Sequence, residues 1–372
     1  MATPTHAEPD GPNPDSDTMS AADAQGQRPN WPVSLMNFIF IVRSKMAAKA
    51  WDHRYHMPEL RGRVAFVTGG NAGIGYQCVR FLAKAGAKVY FGARSIEKAE
   101  AALEKLYEEN PTIKEGQVNW VQMDMASMKS VLKGSEEILK KESKLHLLIN
   151  NAAHEGTEPT KLADSGVQIT MQTNHVGVFA LTQQFQPLLR AAAKEKDSDV
   201  RIIMVSSDTA QFSHAEDFKF EFADAHGGDL KYPSGEGNGF FDRMRRYAIS
   251  KLAINIQASE LQARYDREGI PIMVVAVCPG TVWTPGTRRA IPWYLYHIWY
   301  LRAYSEEMGP RSILFAGTSR ECRFAERYYK GQFINRSHLV IRGHVAGHNP
   351  ELGRELWAAT QQIVDEFKQA NP

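Results

Sequence analysis

Residues 245–253 read RRYAISKLA and place Tyr247 and Lys251 four residues apart in a stretch of helical pattern. Side chains at that spacing share one helix face, so the pair is open to two readings. It is an ordinary surface pair or a proton-transfer device. Tyrosine titrates near 10, about three units too high for a base near neutrality. A neighbouring ammonium favours the phenolate, and three units correspond to about 4 kcal/mol. One lysine a few ångströms away in a partly dry cleft supplies much of that. Arginine would serve less well, lacking a compact ammonium on a flexible stem.

A second constellation is the run TGGNAGIG at 68–75. It follows an apolar run of strand type and opens a helical pattern. Gly69 suits a tight turn. Gly73 and Gly75 allow a ligand and the sheet to come close to the backbone. With Asn71 and Ile74 they form a cofactor loop, and a pyrophosphate would sit on the helix N-terminus. The next strand ends VYFGARS, with Ala93 at the position where an acidic residue binds the ribose of NAD. Arg94 follows, and a guanidinium suits a 2′-phosphate, so NADP(H) is expected over NAD(H). The plainer reading leaves Arg94 on a solvated helix start.

The elements that must hold these residues are legible as a rhythm. Apolar runs at 63–68, 88–93, 117–123, 145–150, 200–206 and 270–277 alternate with amphipathic stretches at 74–86, 95–109, 127–142 and 175–194. The runs are rich in Val, Ile and Phe without strict alternation, as in strands buried on both faces. Strand and helix in turn predict an α/β fold, a doubly wound parallel sheet of Rossmann type in one domain over 59–372. The polar, glycine-rich stretch 208–240 interrupts the rhythm and reads as an insertion before the Tyr247 helix.

Composition narrows the function classes. The chain has 372 residues, 43% hydrophobic and 23% charged, with a net charge of +2. No broad basic surface is implied, and nucleic acid is not an expected partner. Cys78, Cys278 and Cys322 are far apart and lack metal-ligand spacing, which fits reduced thiols in the cytoplasm and no metal site. Residues 1–30 are poor in apolar side chains and read as a disordered tail without signal-peptide features. WPVSLMNFIFIV (31–42) is too short to span a bilayer. Residues 31–58 therefore read as an apolar helix on the domain, or as an interfacial anchor helped by Arg43, Lys45 and Lys49.

Further motifs line up in order: NNAA (150–153), TNHVG (173–177), VSS (205–207), YAISK (247–251) and CPGTVWT (278–284). With the glycine loop they closely resemble the short-chain dehydrogenase/reductase family over about residues 60–370. YYKGQFI and ELGRELWAATQQIV resemble the end of its retinol-dehydrogenase-like branch. The resemblance implies that Tyr247 is the general acid/base, that Lys251 lowers its pKa and binds the nicotinamide ribose, and that Ser207 hydrogen-bonds the substrate oxygen. Ser206 and Ser213 are alternatives, but Ser207 keeps the strand-end position. Asn174 would hold a water linking Lys251 to solvent. Asp124 would meet the adenine, and Asn151 would stabilise the sheet beside the cofactor. Pro279 and Gly280, with Val282 and Thr284, would bind the carboxamide. The family often has fewer residues between its serine and tyrosine than the 208–240 stretch imposes here.

Other tempting residues have plainer readings. His175 packs or caps locally. His53 and His56 take a surface role rather than a metal. Cys278 is a buried small residue rather than a nucleophile. The aromatic stretch 290–304, within a variable substrate segment at 281–305, is open between substrate pocket, homo-oligomer contact, membrane contact and plain packing. Together these readings predict an NADP(H)-dependent interconversion of a carbonyl and an alcohol on a lipophilic or aromatic small molecule. The alternative is a catalytically silent NADP(H)-binding regulator.

Overall fold

The structure is a computed structural model that describes residues 51–158, 160–212, 237–290, 296–341 and 343–371. The tail, the segment 31–42 and most of the 208–240 stretch lie outside the described residues. A seven-stranded parallel sheet carries the fold: β1 (Val64–Thr68), β2 (Lys88–Ala93), β3 (Val118–Gln122), β4 (Leu147–Asn150), β5 (Val200–Val205), β6 (Ile272–Val277) and β7 (Phe333–Ile334). Their order is β3-β2-β1-β4-β5-β6-β7, so the order reverses between β1 and β4. Crevices for ligands open beyond the carboxyl ends of strands at such a switch point.

Both faces of the sheet are covered, which explains the near-continuous apolar runs. Along β5, Ile202 and Met204 enter one core while Ile203 and Val205 enter the other. The first core packs under α3 (Met128–Lys141), α4 (Gly177–Gln184), α5 (Gln186–Ala193), α6 (Phe240–Glu268) and α8 (Pro350–Ala370). The second packs under α1 (Gly73–Lys84), α2 (Ile96–Glu109) and α7 (Arg311–Thr318). Ser95 and Ser127 cap α2 and α3 by accepting from the Lys98 and Ser130 backbone N–H groups, as small hydroxyl residues do at helix starts. Gly269, at φ 67°, ends α6 in the left-handed conformation that glycine tolerates. Every residue of α6 from Ala248 to Ala258 is buried, so this helix is enclosed rather than laid on the surface.

Several expectations are corrected. The stretch 175–194 is not one helix. A π turn, Gln172–Val176, precedes α4, and the chain restarts as α5 after Phe185. Pro187, in the first turn of α5, has no N–H to return to the carbonyl four residues earlier, so the ladder is cut there. Of the 31–58 stretch the structure describes residues 51–58, which hold one helical turn, His53–His56. His53 is not at the surface: it is 1% exposed and meets the Phe81 ring edge-on at 4.3 Å. His175 is buried and its Nε2 pairs with Thr360 Oγ1 at 2.9 Å, and burial holds its pKa near 4. The three cysteines are free and buried. Among the described residues no helix is long and apolar enough to cross a membrane, and no His, Cys, Asp and Glu group could hold a metal.

Candidate active site

The carboxyl end of β5 and the middle of α6 are tied at two points. The Ser206 hydroxyl donates to the Lys251 carbonyl at 3.1 Å, and the Lys251 ammonium donates to the Val205 carbonyl at 2.8 Å. Both bonds tie α6 to the end of the strand, where the next residue is Ser207. Its hydroxyl accepts from the Thr209 N–H at 3.2 Å and faces the Tyr247 phenol. Lys251 is 2% exposed and lies 5.4 Å from the Tyr247 ring centroid. The three residues expected to do the chemistry are thus brought together.

Their electrostatics differ from the expectation at one point. Burial pushes the Tyr247 phenol well above its usual range, with smaller upward contributions from Cys278 and Glu155, against a hydrogen bond with Ser207 that favours the phenolate. Burial also lowers Lys251 to about 8. In the protein alone, desolvation is the largest influence on both groups. Cys278 is 3% exposed, and burial raises its thiol well above the ordinary value, which suits a packing residue rather than a nucleophile.

Asn174 sits in the π turn, a distortion that often marks functional positions. Its Oδ1 accepts from the His154 N–H at 2.6 Å, while its Nδ2 donates to the His154 carbonyl at 3.0 Å and to Ser250 Oγ at 2.8 Å. Ser250 Oγ in turn donates to the Tyr247 carbonyl at 2.7 Å. The side chain therefore joins the loop after β4 to the turn of α6 that carries Tyr247.

The glycine loop lies at the switch point. Thr68 Oγ1 accepts from the N–H groups of Asn151 and Ala152 at 2.8 and 2.9 Å, and Asn151 Nδ2 donates to the Thr68 carbonyl at 2.9 Å. Gly75 has no room for a side chain, since a Cβ there would stand 2.2 Å from the Gly69 carbonyl oxygen and 2.6 Å from Asn151 Nδ2. Ala72 gives α1 no side-chain cap, which leaves first-turn N–H groups to an anion. Asn71 lies half-buried in this loop, and Ile74 and Val282 both pack at Gly309. Gly73 approaches Thr284 closely, since a Cβ there would lie 3.4 Å from Thr284 Cγ2.

The remaining candidates ring the same cleft. Ala93 is buried at the end of β2, and Arg94 after it is exposed. Asp124, after β3, uses Oδ1 to accept from the Ala126 N–H at 3.0 Å, and the carboxylate keeps further acceptor capacity. The Pro279–Gly280 turn follows β6, with Gly280 at φ 76° and its N–H donating to Cys278 Sγ at 3.3 Å. Val282 is buried, and Thr284 Oγ1 accepts from the Thr287 N–H at 3.1 Å. Trp283 meets the rings of Tyr296 and Tyr300 edge-on at 5.7 and 5.4 Å. An uncapped helix start and a side-chain-free glycine turn fit a dinucleotide.

Two residues escaped the sequence reading. Arg246, directly before Tyr247, is fully buried, and its guanidinium donates to the Gly156 carbonyl from Nε at 3.0 Å and Nη2 at 2.8 Å, and to the Gly237 carbonyl. It binds the loop after β4 and Gly237, near the end of the 208–240 stretch, to α6. Glu155, beside Gly156, is the other. Partners that are backbone carbonyls leave no pattern in the sequence, so only the adjacency of Arg246 to Tyr247 pointed to it.

Comparison with known proteins agrees with this geometry. The sequence model of the family described as short chain dehydrogenase matches residues 63–217. The short-chain dehydrogenase/reductase pyiH of Pyricularia grisea is 64% identical over 227 residues, which is 61% of this chain and 93% of that protein. The short chain dehydrogenase/reductase dpchH of Colletotrichum higginsianum is 36% identical over 318 residues, 84% of this chain and 77% of the relative. Among solved structures, one described as the Pseudomonas aeruginosa RhlG/NADP active-site complex superposes with a TM-score of 0.53 at 26% identity, covering 76% of this chain and 98% of that one. The parallel sheet, its switch-point cleft and relatives matched over most of their length at such identity place this chain in the short-chain dehydrogenase/reductase family of oxidoreductases.

Proposed function

We propose that the protein is an NADP(H)-dependent oxidoreductase that interconverts a carbonyl and an alcohol on a lipophilic or aromatic small molecule. The observation that carries this reading is the convergence of Ser207, Tyr247 and buried Lys251 beyond β5, in the same cleft as the glycine loop. When bound, the nicotinamide nucleotide supplies or accepts the hydride. Tyr247 gives a proton to the carbonyl oxygen in reduction and takes it back in oxidation. Its phenol, held protonated by burial, is ready to donate. Ser207 places a neutral hydroxyl donor where negative charge develops on that oxygen. Lys251 orients the ring face and carries the positive charge that stabilises phenolate during oxidation. Asn174 fixes the turn on which Tyr247 rides.

Gly69, Asn71, Gly73, Ile74 and Gly75 would hold the pyrophosphate, Asp124 the adenine, and Asn151 the strand ends beneath. Pro279, Gly280, Val282 and Thr284 would hold the carboxamide. Arg94 after Ala93 supports NADP(H), as does a solved neighbour described as an NADP complex. The edge-to-face cluster of Trp283, Tyr296 and Tyr300 within 281–305 supports an apolar substrate. We assign the enzymatic domain to 59–372. Segment 31–42 we leave as the candidate for peripheral membrane contact, tested by fractionating a chain that lacks residues 1–58.

The deciding experiment is Tyr247→Phe with a panel of ketones and secondary alcohols. NADPH binding should persist while turnover falls by about a hundredfold or more. Unchanged carbonyl-dependent NADPH oxidation in the variant would leave only a cofactor-binding role.

A further inference from the structure

We propose that Glu155 sets the substrate class: its carboxylate accepts a hydrogen bond from an N–H or O–H group that the substrate carries near its reacting carbonyl. The inference rests on the reading of the site given above and concerns which carbonyl compounds that site takes.

Glu155 is held on both sides. The backbone of His154 is gripped by Asn174, which pairs with its N–H at 2.6 Å and its carbonyl at 3.0 Å. The carbonyl of Gly156 is gripped by the buried Arg246 guanidinium at 2.8 and 3.0 Å. Gly156 has φ +79°, and a Cβ there would stand 2.6 Å from the Arg243 carbonyl oxygen, so the loop is pressed against α6. Two side chains from the catalytic machinery and its neighbour thus fix the residue between them. A charge fixed in this way needs little reorganisation to meet a ligand.

The side chain reaches the opposite wall. Glu155 Oε1 lies 2.9 Å from the place a Cβ on Gly286 would occupy. Gly286 belongs to the turn Pro285–Ala290, which follows Thr284. The carboxylate therefore lies against the segment after β6, near enough to Tyr247 that the phenol feels its charge. A carboxylate offers about four acceptor positions on two oxygens, so contacts within the protein leave room for a substrate donor. The same segment after β6 carries an aromatic cluster, Trp283 with Tyr296 and Tyr300. One fixed acceptor on an apolar wall selects a mainly apolar molecule with one donor, and disfavours carboxylate substrates. Sites built to pair a donor discriminate strongly against the analogue that lacks it.

The test uses the full chain, NADPH and matched ketones: 3-aminoacetophenone against its N,N-dimethyl derivative, and 3-hydroxyacetophenone against 3-methoxyacetophenone, within a broader panel of apolar ketones. The wild type should favour the donor-bearing member of each pair in kcat/KM by about tenfold or more. Glu155→Ala should bring the ratio close to one, mainly through KM, with NADPH affinity by fluorescence titration unchanged. Glu155→Gln, which keeps the shape, adds a readout that loss of structure would not mimic. The phenol is faced by Cys278, Ser207, Lys251 and Glu155, and removing the last charge should move the rising limb of alcohol oxidation to lower pH. An unchanged ratio and an unchanged limb in variants that bind NADPH overturn the assignment and leave the oxidoreductase reading standing. A wild type that binds NADPH and turns over no member of the panel overturns that reading, and this assignment with it.

Discussion

The Lys251 ammonium donates to the Val205 carbonyl at 2.8 Å and stands 5.4 Å from the centre of the Tyr247 ring. The strand end therefore holds the lysine, and the lysine presents charge to the face of the tyrosine. A buried ammonium held by a carbonyl is costly, and burial lowers its pKa to about 8 from an ordinary value of 10.5.

That depression has a sign. Between pH 8 and 10.5 the folded chain has released the proton while the unfolded chain still holds it, so this residue makes stability rise with pH across that window. Below pH 8 both states are protonated and the burial cost is fully present. Urea unfolding of the wild type and Lys251→Met, compared from pH 7 to 10, should reveal a difference that moves by about 3 kcal/mol in favour of the wild type. A constant difference would mean that Lys251 titrates normally.

Arg246 is expected to be structural in energy and positional in effect. Arg246→Ala leaves the Gly156 and Gly237 carbonyls without their donor, at a cost of about 2–4 kcal/mol in urea unfolding. Arg246→Lys should recover only part of this, because one ammonium cannot reproduce a planar fork that reaches both carbonyls. Equal stability of the lysine variant and the wild type would contradict the clamp.

Cofactor choice should follow Arg94. In Arg94→Ala, NADPH affinity by fluorescence titration should fall about tenfold or more, while NADH affinity changes little. Parallel losses for both nucleotides would assign the residue to the helix start instead.

Gly75→Ala should abolish tight cofactor binding. The added methyl would meet the Gly69 carbonyl oxygen at 2.2 Å, which is backbone and cannot swing aside. Calorimetric titration with NADPH should register a loss of at least tenfold, with the phosphate loop displaced. Wild-type affinity in this variant would contradict the packing described at the switch point.

Much of the site was legible because its signals are local. The glycine loop, the Ala93–Arg94 strand end and the Tyr247–Lys251 spacing each lie within one strand–turn–helix or one helical turn. The six long strands were legible because burial on both faces makes each an apolar run. β7 was not, since two residues, Phe333 and Ile334, cannot announce a strand. The break at Phe185 was missed because apolar periodicity continues through Pro187, where backbone donors do not.

The amino-acid sequence by itself determined the doubly wound class and singled out the glycine loop and the Tyr247–Lys251 pair as candidates, since these depend on residue type and short spacing. The tertiary structure alone decided their electrostatics and support. Burial, a property of the packed chain, raises Tyr247 and lowers Lys251. The hold of Arg246 on Gly156 joins residues 90 positions apart, and the grip of Asn174 on His154 and Ser250 joins three separate segments. Such contacts arise only when the sheet brings distant loops to one end, because hydrogen bonds to backbone carbonyls require a position in space and no particular partner in sequence.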